Sequence, residues 1–176
     1  MIKYIFRAYI FSFLLFSNNA FANFYLGGVY TFTFVDLNLP TGEEFSPTAL
    51  VFKGGYDLID YIGLELRAGV GVTEGSRVSA GVERTLSIDS LYGGYLKLQG
   101  GGREFNPYFM LGYTQGEFEA SDGTTSTKVD DSSASFGIGV DGVLSETVFF
   151  TLEYMHYYDK DDVTVSGVGV GITARF

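Results

Sequence analysis

The chain has 176 residues, with 11 basic and 21 acidic side chains and a formal net charge of −10. This acidity argues against nucleic-acid binding, which needs a basic surface. The absence of Cys excludes disulfides and thiolate metal sites, and a single His excludes a multi-His metal site. The chain also contains 24 Gly, 17 Phe and 13 Tyr. Because Gly is costly in helices, this composition favours a curved β-sheet.

Residues 1–22 have the organisation of a secretory signal peptide. Lys3 and Arg7 precede an apolar run over residues 8–16, and Ala20-Phe21-Ala22 supplies a small-x-small cleavage motif. An N-terminal membrane anchor is the alternative, but about 20 apolar residues are needed to cross a bilayer as a helix. We therefore expect cleavage after Ala22, which removes two positive charges and leaves residues 23–176 with a net charge of −12.

The exported part alternates between apolar and polar or Gly residues with a period of two. Such alternation predicts β-strands rather than helices. Strands of about 10 residues are longer than the usual 5 to 6 and have the length that a bilayer requires of a tilted strand. The pattern predicts eight strands, at residues 24–34, 50–58, 62–72, 86–98, 108–119, 134–141, 148–154 and 168–176.

The connections between these segments alternate in length. Those after the second, fourth and sixth strands are mostly short, at residues 58–60, 99–106 and 144–147. Those after the first, third, fifth and seventh are mostly longer and more polar, at residues 35–47, 73–85, 120–131 and 159–163. Short turns on one side and long loops on the other are typical of an antiparallel up-and-down barrel in an outer membrane.

The less apolar face of the strands is rich in Gly, Ser and Thr. It also carries three acidic and three basic residues, which are Glu65, Arg67, Lys97, Asp141, Glu153 and Arg175. A balanced set of this kind suits a barrel interior, with the aliphatic face toward lipid and aromatic residues near the strand ends. The six charges form a polar path or gate in one hypothesis and an ion-paired plug in the other. We favour the plug, because eight strands leave room only for side chains.

Three segments resemble the small eight-stranded bacterial outer-membrane β-barrel proteins of the OmpA/OmpX-like family. Residues 54–67 resemble a strand, a short turn and the next strand, and residues 107–113 resemble the fifth strand. Residues 168–176 are similar to the family's assembly signal, which ends in a C-terminal aromatic residue, here Phe176. The resemblance implies an all-β transmembrane barrel over residues 23–176. It does not imply one activity, because members include structural proteins, adhesins, narrow pores and lipid-modifying enzymes.

Two further features, His156 and the acidic loops, each allow a functional and a structural interpretation. His156 is either a general base for lipid chemistry or an interfacial belt residue. Some barrel deacylases use a His and a Ser two residues apart on one strand. Position 158 is Tyr here, so that pairing is missing. The loops are acidic and either bind Ca²⁺ or Mg²⁺ or form a solvated surface. The best local cluster is the run Asp159-Lys160-Asp161-Asp162. The remaining acidic loop residues are Asp36, Glu43, Glu44, Glu74, Glu83, Asp122, Asp130 and Asp131.

These patterns predict a non-enzymatic outer-membrane protein with a structural role or a surface-interaction role through its acidic loops. A narrow porin-like channel for ions or small solutes is the alternative, and an enzyme that modifies lipid A is the third candidate. We expect no catalytic residues, no metal and no cofactor. The expected partners are outer-membrane lipid, lipopolysaccharide and the barrel-assembly machinery, and the protein is expected to be a monomer.

Overall fold

The computed structural model describes residues 23–37, 43–79, 82–102, 104–121, 125–160 and 163–176. Within these residues every regular element is a β-strand, and none is a helix long and apolar enough to cross a membrane. The strand segments are β1 (Phe24–Leu37), β2 (Glu43–Phe45), β3 (Thr48–Ile59), β4 (Ile62–Thr73), β5 (Gly75–Ser79), β6 (Val82–Gln99), β7 (Phe105–Ser121), β8 (Ser126–Val143), β9 (Val148–Lys160) and β10 (Val163–Arg175).

Eight of these segments close into an antiparallel barrel in the order β1-β3-β4-β6-β7-β8-β9-β10, and β10 pairs with β1. The two short segments continue neighbouring strands. β2 pairs with β1 beyond β3, and β5 pairs with β6 beyond the β4–β6 ladder. Pro47 separates β2 from β3, because proline has no N–H to donate to a ladder. The predicted eight-stranded antiparallel barrel is therefore confirmed.

The barrel has two unlike ends, which we call the turn end and the loop end. The turn end holds Asn23, Phe176 and the short connections at residues 60–61, 100–104 and 144–147. At the loop end, several segments predicted as loops are paired strand. β7 runs to Ser121 and β8 starts at Ser126, so residues 120–121 and 126–131 are paired strand instead of loop. The prediction was wrong there because both faces of this hairpin are polar and show no apolar alternation.

The two faces of each strand differ as the alternation predicts. On β4, Glu65 is 1% exposed and Leu66 is 72% exposed. The outward face carries a belt of exposed Leu, Val, Ile, Phe and Tyr, which would be unstable in water and suits hydrocarbon. The inward face carries the charges, the threonines and most of the glycines. Closure leaves no unpaired strand edge among the eight wall strands, as lipid requires.

The filled interior and the two ends of the barrel

Arg67 forms the centre of the first group of interior charges. Its Nε donates to Glu65 Oε1 at 2.6 Å, and Nη1 and Nη2 donate to the two carboxylate oxygens of Glu153 at 2.6 and 2.8 Å. Tyr25 donates to Glu65 at 2.7 Å and Tyr108 donates to Glu153 at 2.8 Å. These side chains are buried. Such a bidentate, multiply bonded arrangement can offset the large cost of removing the charges from water.

Asp141 forms the centre of the second group. Its Oδ2 lies 3.0 Å from Lys97 Nζ and 3.3 Å from Arg175 Nη2, and its Oδ1 accepts a hydrogen bond from Thr151 at 2.8 Å. Lys53 Nζ lies 3.9 Å from Asp141 Oδ1 and donates to Thr151 at 3.2 Å. One carboxylate thus serves three cations, so the second group is a connected set rather than three isolated pairs.

Arg175 extends the second group toward the turn end. Its Nη1 lies 3.3 Å from Asp57 Oδ2. The structure therefore gathers all six charges singled out from the sequence inside the barrel and adds Lys53 and Asp57. Both lie on the inward face of β3, where the same alternation test could have found them. We call these eight residues the interior charge network; its four acids and four bases balance.

The interior changes character toward the loop end. An apolar plug borders the interior charge network and continues from it toward the loop end; it consists of Val35, Phe45, Tyr95, Tyr108, Met110, Met155, Tyr157, Tyr158 and Val165. A smaller cluster of Ala49, Val51, Ile88 and Leu91 packs nearby, and Phe118 contacts both clusters. Tyr108 and Met110 join the two regions, since Tyr108 donates to Glu153 and Arg67 Nη2 lies 3.5 Å from Met110 Sδ, so side chains occupy the interior throughout.

The inward tyrosines lie against glycines on neighbouring strands. Tyr108 is the register partner of Gly139, and a Cβ added to that glycine would lie 2.4 Å from the Tyr108 ring. Tyr25 packs in the same way on Gly55. In contrast, a Cβ added to the outward Gly28 would meet nothing within 4 Å. The interior glycines therefore make room for ring packing in a narrow barrel.

The loop end carries far more acidic than basic side chains among the described residues. Lys128 on β8 contacts Asp89 Oδ2 at 2.5 Å and lies 3.6 Å from Glu117 and Glu119. The hydrogen bond to Asp89 and the surrounding carboxylates raise the pKa of Lys128 above its usual value. Within the described residues, no group of three or more His, Asp or Glu side chains could hold a metal ion. Asp122, Asp161 and Asp162 lie outside the described residues, and the side chains of Glu43, Glu44, Glu83 and Lys160 are not described.

His156 lies on the outward face of β9 near the loop end. Its ring stacks on Phe136 at a centroid distance of 4.8 Å, and its Nε2 lies 3.8 Å from Asp159 Oδ2. Ser166 on β10 is its register partner, beside a β-bulge. The stacking on Phe136 fits the interfacial interpretation of His156, and the position of Ser166 gives the enzymatic interpretation a specific candidate.

The sequence signature of the outer membrane protein beta-barrel domain family matches residues 10–176, nearly the whole chain. The chain belongs to this family. The belt of outward apolar residues therefore faces the lipid of the bacterial outer membrane, and its location there is as the sequence predicts. In such proteins the short turns face the periplasm and the longer connections face outward, so the loop end is extracellular.

Several solved outer-membrane barrels share this fold. Neisserial surface protein A superimposes with a TM-score of 0.67 at 12% identity, over 87% of this chain and 97% of its own. Ail of Yersinia pestis gives 0.65 at 16% identity, over 88% and 99%. OprG of Pseudomonas aeruginosa gives 0.58 at 15% identity, over 88% and 96%. At these identities the likeness establishes the fold alone. No curated protein sequence matches the chain.

Proposed function

We propose that this protein is a non-enzymatic, non-conducting barrel that acts at its extracellular end, through contacts with the outer-membrane surface or with an external partner. The observation that carries the proposal is the filled interior beneath an extended outer rim. The interior charge network and the apolar plug together fill the barrel from the turn end toward the loop end. Strands β6, β7 and β8 extend to 18, 17 and 18 residues, beyond the length needed to span a bilayer.

A narrow channel is the alternative, and conductance separates the two. A conducting path needs water through the whole interior, whereas paired charges and packed tyrosines exclude it. We expect purified protein in planar bilayers to give no steady conductance. A steady conductance that changes in the Lys97→Ala variant would replace the proposed function with the channel, because Lys97 is a fully buried member of the interior charge network.

The charge of the extracellular end indicates a basic partner. The described acidic residues there are Asp36, Glu74, Asp89, Glu117, Glu119, Asp130, Asp131 and Asp159, against the bases Arg84 and Lys128. Ail of Yersinia pestis has been solved in complex with the heparin analogue sucrose octasulfate, a polyanion. The described rim residues of the present chain are mostly acidic and would repel such a polyanion. Complementary charge sets partner choice and association rate more than affinity.

Binding to a basic peptide tests this surface role. The full protein, in nanodiscs of zwitterionic lipid, is titrated with an oligolysine peptide and with heparin. We expect the peptide to bind and the heparin not to bind. The Glu117→Gln variant is expected to bind the peptide more weakly, whereas Glu104→Gln, the same charge change at the turn end, is expected to match the wild type. Equal weakening in both variants would contradict a role for the loop end.

An enzyme acting on lipid A is the third candidate, and one observation favours testing it. Ser166 lies opposite His156, and Asp159 lies near the same ring. We propose that His156 instead packs in the interfacial belt, since its ring stacks on Phe136. Overexpression is expected to leave the mass of lipid A unchanged. A mass shift abolished by both His156→Ala and Ser166→Ala would establish the enzyme.

We also propose the maturation and assembly expected from the sequence. Residues 1–22 act as a cleaved signal peptide, Phe176 serves the barrel-assembly machinery, and the product is a monomer in contact with lipopolysaccharide. Closure of the eight wall strands supports the monomer, because it leaves no strand edge for a second copy to extend. N-terminal sequencing of the purified protein, with Asn23 expected first, checks the cleavage.

A further inference from the structure

The turn end of the barrel contains a cavity of about 470 Å³, which we call the vestibule. Its lining includes Asp57, Asp60, Gln99, Glu146, Phe149 and Arg175. This volume lies within the range of about 300–1,000 Å³ typical of small-molecule sites. The interior charge network and the apolar plug lie beyond it. The vestibule is therefore a blind pocket that opens to the periplasm.

The charges in the vestibule favour a cation. Arg175 is its only described base, and this guanidinium is already paired with Asp57 and Asp141. Asp60 and Glu146 are exposed and have no ion-pair partner among the described residues. Within the described residues, two carboxylates without an ion-pair partner thus line the pocket next to a network that is itself neutral. An incoming cation meets attraction from the rim and no competing free base within the described lining.

Asp60 lies in the β3–β4 turn, Glu146 lies in the β8–β9 turn, and aromatic rings share the lining; this arrangement indicates an extended organic cation rather than a metal ion. Three or more Asp, Glu or His side chains do not converge on one point anywhere in the described chain. Phe149 already supports a cation on its face, with the Arg175 guanidinium 5.1 Å from its ring centroid. The rings of Phe24 and Phe176 stack at 6.5 Å beside the opening. Carboxylates separated by aromatic surface suit ammonium groups separated by methylene segments.

We propose that the vestibule binds linear aliphatic polyamines from the periplasmic side. The ammonium groups pair with Asp60 and Glu146 at the rim, and the methylene chain lies along the aromatic surface that includes Phe149. Gln99 and Asn106 lie in the same lining, where Gln99 Oε1 accepts hydrogen bonds from Asn106 and Arg175 and Asn106 Oδ1 accepts one from the Gly101 N–H, so both amides are held in place beside the pocket. This site is at the opposite end from the proposed extracellular surface, so either proposal can fail without the other.

The test measures binding of spermidine to the full protein in uncharged detergent micelles, by calorimetry and by NMR of the Gln99 and Asn106 side-chain amides. Asp60→Asn and Glu146→Gln are each expected to weaken binding about three- to fivefold, as for exposed ion pairs, and the double variant by about tenfold or more. Neither residue belongs to the interior charge network. Heat-modifiable migration on a gel verifies that each variant is folded.

Two controls separate a site from general charge attraction. The Glu104→Gln variant removes one negative charge at the turn end without changing the described lining of the vestibule, and it is expected to bind spermidine within about twofold of the wild type. A neutral polyether of similar length is expected to produce no saturable shift. Weakening by Glu104→Gln equal to that by Asp60→Asn, saturation by the polyether, or no saturation by spermidine below several millimolar would each overturn the proposal.

Discussion

Replacing Arg67 with methionine tests whether ion pairing holds the interior together. Arg67 donates three hydrogen bonds to Glu65 and Glu153, and all three side chains are at most 3% exposed. Methionine fills much of the arginine volume but leaves two buried carboxylates without their shared cation. Breaking a buried pair by removing one partner costs about 3–5 kcal/mol. We expect a loss of this size in the free energy of unfolding.

The triple variant Arg67→Met/Glu65→Gln/Glu153→Gln separates pairing from packing. It removes the cation and both anions together, and the glutamine carbonyls can still accept the hydrogen bonds from Tyr25 and Tyr108. Replacing a whole buried ionic group by neutral residues of similar size is often close to neutral. We therefore expect the triple variant to recover more than half of the stability that the single variant loses.

Reversible urea unfolding in vesicles of uncharged lipid measures these differences. The chain has 13 Tyr and no Trp, so far-UV circular dichroism and tyrosine fluorescence report the transition. Arg67→Lys keeps the charge but loses the bidentate contact, and it is expected to fall between the wild type and Arg67→Met. A loss below about 1 kcal/mol in Arg67→Met, or a triple variant less stable than the single one, would refute the argument.

Three further predictions concern other parts of the barrel. Gly139→Ala is expected to cost about 1–3 kcal/mol in the same unfolding assay, because its methyl group overlaps a tyrosine ring, whereas Gly28→Ala is expected to be close to neutral. Lys128→Gln is expected to speed hydrogen exchange in the β7–β8 hairpin. Folding raises the pKa of Lys128. The stabilisation of the hairpin by the Lys128 ammonium is therefore complete below about pH 10 and is lost as the pH rises through the folded-state pKa. Phe176→Ala is expected to lower the fraction of heat-modifiable protein in cells.

Each of these three has a control. A Gly28→Ala variant as unstable as Gly139→Ala would contradict the role of ring packing. Hydrogen exchange in Lys128→Gln that matches the wild type at low salt would contradict a stabilising role for the Lys128 ion pairs. Phe24 stacks on Phe176, so Phe24→Leu disturbs the same ring pair without changing the terminal residue. If Phe24→Leu impairs insertion as strongly as Phe176→Ala, packing rather than an assembly signal explains the effect.

The predictions that succeeded depend on local pattern. Alternation with a period of two separates inward Glu65 from outward Leu66 whatever the rest of the chain does, because adjacent side chains on a strand point to opposite faces. The same rule applies to Lys53 and Asp57, which a stricter use of the alternation would have included. Where both faces of a strand are in water the pattern disappears, and the loop-end hairpins were for that reason predicted as loops.

The sequence by itself determined the strand number, the antiparallel barrel, its location in the outer membrane and the inward placement of six charges. Only the tertiary structure decided which charges pair. Arg67 and Glu153 are 86 residues apart in sequence, and Lys53 and Thr151 are 98 apart. Such contacts depend on the stagger of eight strands around a closed barrel, which no local pattern encodes. The apolar plug and the blind vestibule follow from that same closure.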